Sequence, residues 1–167
     1  MQLFIIRHGE AELDTKPDSA RQLNLQGQQE CESAGHWIGK QCCDFDIVLI
    51  SPFVRAQQTW KMLEQQGITT KQLEILQDLT PESDPETAAC AIKAYSQGLK
   101  KVLVVSHLPL VCFLVDELVA ETCPLFATGS TAVVEIEEND IKGHLLTLVS
   151  PNQAEAEVNS KACAAGR

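Results

Sequence analysis

Positive charge is scarce in this sequence: 13 Lys and Arg stand against 23 Asp and Glu, a formal net charge of −10 over 167 residues. A generic nucleic-acid binder, or a protein drawn to an anionic membrane, carries the opposite sign, so neither class fits. An anion would have to be captured by a few positive groups gathered in one place. Long hydrophobic runs are missing as well. The longest strongly apolar stretch, Leu108 to Ala120, includes Asp116 and Glu117 and is too short to span a bilayer. The opening Met1-Gln2-Leu3-Phe4-Ile5-Ile6 lacks a cationic n-region and a long apolar h-region, so no secretory leader is expected. The seven cysteines (Cys31, Cys42, Cys43, Cys90, Cys112, Cys123, Cys163) are odd in number and form no CxxC pair. They read as small buried apolar residues of a reduced, cytoplasmic protein.

Several catalytic devices are also absent. There is no G-x-x-x-x-G-K-[ST] loop, which excludes a P-loop NTPase. No cysteine has an arginine six residues later, which removes the cysteine-based phosphatases, and no G-x-S-x-G elbow is present. Asp44-Phe45-Asp46-Ile47-Val48 imitates the D-x-D-x-[TV] of aspartate-nucleophile phosphatases. Those aspartates must follow a strand, and here they precede one. His8-Gly9-Glu10 imitates the H-x-E of zinc deaminases without the P-C-x-x-C that must accompany it. No adequate ligand set for a metal exists, and no cofactor is expected.

What is present is the pattern of one α/β domain. The length fits a single core that buries roughly two-thirds of the unfolded surface. Leu3-Phe4-Ile5-Ile6, Ile47-Val48-Leu49-Ile50 and Val102-Leu103-Val104-Val105 are continuous apolar quartets, the burial pattern of strands covered on both faces. Helical spacing is found over Gly27 to Lys40, Arg55 to Gln66, Pro85 to Gly98 and Pro109 to Ala120. Leu73 to Leu76 suggests a further strand. Thr131 to Glu137 and His144 to Val149 suggest a late hairpin across an Asn139-Asp140 turn. Strand and helix in alternation predict an α/β fold, a three-layer α/β/α sandwich with a mostly parallel sheet. The expected domain covers residues 1–151. Residues 152–167 form a small, polar C-terminal tail, either frayed or loosely docked.

In parallel sheets ligands bind beyond the carboxyl ends of the strands. After the first quartet comes Arg7-His8-Gly9-Glu10, after the second Ser51-Pro52-Phe53-Val54-Arg55, and after the third Ser106-His107-Leu108-Pro109. Two of the four histidines and two arginines therefore converge on one edge, a set suited to a phosphoryl group. Guanidinium forks match phosphate oxygens, and an imidazole can serve as nucleophile, proton shuttle or donor. Gly9 would let the backbone approach an anion closely. Ser51 and Ser106 read as turn formers whose hydroxyls could orient their neighbours, and Glu10 as a supporting loop residue. His36 and His144 read as structural. Arg21, on a polar loop, either swings over the pocket or stays solvated.

These three blocks also carry a resemblance. Ile6-Arg7-His8-Gly9-Glu10, Ser51-Pro52-Phe53-Val54-Arg55-Ala56-Gln57-Gln58-Thr59 and Val105-Ser106-His107-Leu108-Pro109 resemble the histidine phosphatase (phosphoglycerate-mutase-like) superfamily, and within it the SixA branch of phosphohistidine phosphatases. The likeness runs from Met1 to about Pro151. It implies that His8 attacks phosphorus and becomes a transient phosphohistidine. It also implies that Arg7 and Arg55 hold the equatorial oxygens, that His107 donates to the transferring group, and that Arg21 lies near the pocket. Neither metal nor cofactor is implied. The expected partner is a histidine-phosphorylated protein, a phosphotransfer domain or carrier, with inorganic phosphate as product.

Larger members of that superfamily protonate an alkoxide leaving group with a carboxylic acid from the loop after the middle helices. The equivalent loop here, Gln77 to Asp84, holds no acid in a recognisable mutase context. That suits a leaving group that departs easily, such as the imidazole of phosphohistidine. Two alternatives remain open on sequence: a small metal-independent phosphatase of metabolite phosphomonoesters, and a phosphate-binding module without turnover.

Overall fold

The structure is a computed structural model and describes residues 1–13, 17–119, 125–137 and 142–156. Its elements in chain order are β1 (Gln2–Arg7), α1 (Leu25–Gln41), β2 (Asp44–Phe45), β3 (Ile47–Ile50), α2 (Val54–Gln65), β4 (Thr69–Thr70) and β5 (Leu73–Ile75), followed by α3 (Pro85–Tyr95), β6 (Lys101–Ser106), α4 (Leu110–Leu118), β7 (Thr131–Glu135) and β8 (His144–Val149). Short 3-10 turns lie at Asp18–Ala20 and Gln77–Leu79.

Each apolar quartet is a strand, and its alternate residues feed opposite cores. Leu3, Ile5, Ile47, Leu49, Val102 and Val104 pack with Ala88 and Ile92 of α3 and with Leu110, Val111 and Leu114 of α4. Phe4, Ile6, Val48, Ile50, Leu103 and Val105 pack on the other face with Trp37 and Ile38 of α1 and with Trp60 and Leu63 of α2. The period-2 pleat thus sorts one run of apolar residues into two layers, giving the α/β/α sandwich.

The six-stranded sheet runs β5-β3-β6-β1-β7-β8. β5, β3, β6 and β1 are mutually parallel, while β7 is antiparallel to β1 and β8 antiparallel to β7. The expected Asn139-Asp140 turn, within the connection between β7 and β8, lies outside the described residues. Helix α3 starts on Pro85 behind the Asp84 cap, whose carboxylate accepts from Thr87 N. Helix α1 starts two residues before the expected Gly27, because Asn24 caps it by accepting from Gly27 N.

Residues 151–156 are helical, Ala154 is buried against the second core, and Glu155 accepts from Ser33 Oγ at 2.6 Å. This part of the tail is therefore docked on α1, and residues 157–167 lie outside the described set. No helix among the described residues is long and apolar enough to cross a membrane. Cys31, Cys42, Cys43, Cys90 and Cys112 are free thiols; against the expectation of buried residues, Cys31 alone of these five is buried, Cys42 and Cys112 are half-buried, and Cys43 and Cys90 are exposed. Burial lifts the Cys31 thiol to about 11, against smaller opposing hydrogen bonds from Thr59 and Gly9, so it is an inert core group.

Candidate active site

Register brings the site together. Ile50 pairs with Val105 and Arg7 with Ser106, so β3, β6 and β1 end side by side. Their next residues are Ser51, His107 and His8. Backbone bonds carry the alignment past the strands: His8 N donates to Ser106 O and Ser51 N to Val105 O, each at 3.0 Å. The rings of His8 and His107 lie 4.9 Å apart between centroids. Arg55, on the first turn of α2, reaches the same point and is almost fully buried.

The hydrogen bonds define the state of His8. Its Nδ1 lies 2.6 Å from Gly9 O. A carbonyl only accepts, so Nδ1 carries the proton. Nε2 then holds the lone pair, and Arg55 Nε donates to it at 3.0 Å. Burial, opposed by the Gly9 carbonyl and reinforced by Arg55, Arg7 and Arg21, holds the His8 pKa down to about 3. The ring is neutral at physiological pH, with its lone pair aimed at a guanidinium.

His107 is fully buried and held at about 2 by burial, then by His8, Arg55 and Arg7. Its Nε2 meets Ser51 Oγ at 2.6 Å, and one edge of its ring packs on Phe53 with centroids 5.1 Å apart. Its Nδ1 is buried without a partner. Arg7 donates from Nη1 to Phe126 O at 2.8 Å, while its Nε is also buried and unpartnered. Three buried side-chain polar atoms lack partners among the described residues, the third being Thr131 Oγ1. Two of the three therefore belong to the convergent set, and a buried donor left open costs about 1–3 kcal/mol unless something meets it. An anion with several acceptor oxygens would do so.

The other expected residues fall as follows. Arg21 sits at the rim, its side chain 23% exposed, with Nη1 on Asp18 Oδ1 at 3.0 Å and Nε on Glu12 O. Ser51 orients His107, whereas Ser106 turns away and donates to Leu79 O at 2.8 Å. His36 and His144 are exposed, on α1 and β8. The carboxylates of the imitation motif are structural: Asp46 accepts from Lys71 Nζ and from the backbone N–H groups of Lys100 and Lys101. Gly9 has a packing role. A Cβ there would stand 2.3 Å from Gly27 O and 2.8 Å from Cys31 Sγ, so its bareness lets the loop after β1 lie against α1. Gly27 answers it, since a Cβ there would meet Glu10 O at 2.0 Å.

Four supporting groups escaped the sequence reading. Asp18 accepts from Arg55 Nη2 at 3.1 Å and from Arg21 Nη1, and its carbonyl accepts from Arg55 Nη1 at 2.8 Å. Thr59 donates to Arg55 O and accepts from Gly9 N, tying α2 to the loop. Glu30 receives Glu10 N at 2.8 Å and Thr128 Oγ1 at 2.9 Å. The Phe126 carbonyl anchors Arg7. Only Asp18 left a local trace, a carboxylate three residues before an arginine.

Comparison with known proteins identifies the family. The model of the histidine phosphatase superfamily (branch 1) matches residues 3–81. The phosphohistidine phosphatase SixA of Escherichia coli K12 is 40% identical over 141 residues, 83% of this chain and 88% of that protein. The chain belongs to the histidine phosphatase superfamily. A SixA homolog from Haemophilus influenzae is 34% identical over 133 residues, covering 75% of this chain and 81% of the relative. Among solved structures, the protein histidine phosphatase SixA complexed with tungstate superposes with a TM-score of 0.85 at 38% identity. The match covers 91% of this chain and 98% of that one. The histidine phosphatase blocks at residues 6–10, 51–59 and 105–109 thus occupy the three strand ends described above.

Proposed function

We propose that this chain is a metal-independent phosphohistidine phosphatase that works in the cytoplasm on histidine-phosphorylated carrier or phosphotransfer proteins. The observation that carries the reading is the neutral His8, whose Nε2 lone pair is aimed at Arg55 Nε within a nest of three arginines.

The chemistry follows from that geometry. The Nε2 lone pair attacks phosphorus, the bond from phosphorus to the substrate imidazole nitrogen breaks, and that nitrogen keeps the electron pair, so the substrate ring, protonated on its other nitrogen, leaves as neutral imidazole. Arg55 Nε–H passes from His8 Nε2 to a phosphoryl oxygen as the new bond forms. The proton on Nδ1 stays, so phospho-His8 is a cationic ring steadied by the Gly9 carbonyl. Water then attacks phosphorus, the bond to Nε2 breaks, and phosphate leaves with the proton that water releases. Arg7 and Arg55 bear the oxygens. Ser51 donating to His107 Nε2 would leave the proton on Nδ1, which then serves as a donor to the transferring group. A loose transition state needs little beyond such positioning and charge.

The leaving group also favours a phosphoramidate. Among the described residues, every carboxyl group with a resolved shift is held below its ordinary value: Asp18, Asp46 and Asp84. For Asp18 the two arginines outweigh the opposing effect of burial. A carboxylate held ionised cannot protonate an alkoxide. An imidazole already protonated on its other ring nitrogen leaves as a neutral molecule without such help, whereas phosphoserine or a sugar phosphate does not. The test is phosphate release from a histidine-phosphorylated carrier beside p-nitrophenyl phosphate, with chelator present. Fast, chelator-resistant release from the carrier is expected. Turnover of the ester alone would favour a metabolite phosphatase.

A further inference from the structure

Residues 10–13 and 17–23 run past the site and pair at their base, where Ala11 bridges to Leu23 and Glu12 N donates to Gln22 O at 2.9 Å. Asp18 opens a turn of 3-10 helix, with its side chain 54% exposed. A carboxylate that exposed is ordinarily a solvated surface group that gains little from an ion pair. Here it does more than pair. Its carbonyl and one carboxylate oxygen take both terminal nitrogens of Arg55, and its other carboxylate oxygen takes Arg21.

We propose that Asp18 is a positioning residue for phosphoryl transfer, fixing Arg55 and Arg21 as one unit so that Arg55 Nε stays aimed at the reacting nitrogen of His8. The inference rests on the reading of His8 as nucleophile. A guanidinium is planar and rigid, so holding Nη1 and Nη2 also sets the direction of Nε. That matters at one moment in particular. The Nε–His8 bond must give way when the Nε2 lone pair turns to phosphorus. Among the described residues, the polar anchors that then remain on the Arg55 fork are those of Asp18, with the Phe53 ring 5.0 Å from its central carbon. The carboxylate also lies between two cations that otherwise repel each other, as the opposed effects of Asp18 and Arg21 on Arg55 show. Without it, the fork would swing by the small displacement that is enough to spoil alignment for transfer.

The experiment is steady-state kinetics on a histidine-phosphorylated carrier and on p-nitrophenyl phosphate. The enzymes compared are wild type, Asp18→Ala, Asp18→Asn, Asp18→Glu, Arg55→Ala and the Asp18→Ala/Arg55→Ala double variant. Thermal melts would confirm folding, with the near-isosteric Asp18→Asn standing in should Asp18→Ala unfold. Asp18→Ala should lower kcat roughly 10- to 100-fold on both substrates, the range expected for a misplaced catalytic group, and change KM less. Asp18→Glu should recover part of the loss. Because Asp18 acts through Arg55, the double variant should be no slower than Arg55→Ala alone. An unchanged kcat in folded Asp18→Ala, or losses that multiply in the double variant, would overturn the proposal. So would faster turnover with tighter inhibition by tungstate, which would make Asp18 a competitor of the anion. Failure to label His8 in the wild type breaks the nucleophile reading instead, so the two failures are separable.

Discussion

Two carboxylates at opposite ends of the sheet make a useful contrast. Asp46, just before β3, accepts two backbone N–H groups at 2.9 Å and Lys71 Nζ at 2.7 Å, and its pKa is drawn down to about 2 by Lys71 and those amides. Every donor it faces is satisfied within the protein. Asp18 faces Arg55 and Arg21 beyond the carboxyl ends of the strands, and beside it two donor-bearing side chains, Arg7 and His107, keep a buried nitrogen unpartnered. A structural ion cluster closes on itself. A site that handles a ligand leaves buried donors open and accepts the cost.

The contrast can be broken or sharpened by mutation. Arg55→Ala and Arg7→Ala should each raise the barrier by about 3 kcal/mol, on the order of a hundredfold in kcat, as for the loss of a donor to a developing anion. Loss of less than threefold from both, by steady-state phosphate release, would show that the open end is not where charge is stabilised. Ser51→Ala should cost roughly tenfold in kcat, because His107 Nε2 loses its 2.6 Å partner and the ring can turn. At the closed end, Asp46→Ala should leave kcat per folded molecule unchanged. It should still lower unfolding stability by about 1–2 kcal/mol, since two backbone amides lose their acceptor. A denaturant titration run beside an activity assay separates the two effects. If Asp46→Ala impaired turnover more than stability, the contrast would fail.

The smallest effect concerns pH. A free histidine nucleophile would lose about tenfold between pH 7.5 and 5.5 as it protonates near 6.5. His8, held down to about 3 chiefly by burial, should show no such limb once the second ionisation of the substrate is allowed for. Stability should behave in the opposite way. The folded pKa values of His8 and His107 are depressed, so the unfolded chain binds more protons between about 6.5 and 3. Both residues then favour unfolding as pH falls through that window. Melting curves at pH 7.5 and 5.5 would show the loss; equal stability would contradict the neutral, buried assignment.

The same contrast explains what could be read from the chain. The strand ends were legible because three continuous apolar quartets can only be doubly covered strands. Whatever follows three neighbouring parallel strands must meet, and His8, His107 and Arg55 did. Asp18 was hidden because its partners come from a loop closed by the Ala11–Leu23 bridge and from α2, more than thirty residues on. Nothing in spacing foretells that meeting. Gly9 was legible as a close approach, but its packing partner was not. The surface it meets is Gly27 of α1, visible only once α1 packs on the loop. Replacing Gly27 by Ala should therefore cost roughly 1–3 kcal/mol of stability through overpacking, readable as a lowered melting temperature.

The most direct test of the account is rapid-quench trapping of the phosphoenzyme during turnover of a carrier labelled with radioactive phosphate on histidine. The account predicts transient label on His8, on Nε2, with the acid-labile and alkali-stable behaviour of a phosphoramidate, and none in His8→Ala. Turnover without label on the protein, or alkali-labile label on a carboxylate such as Asp18, would contradict it.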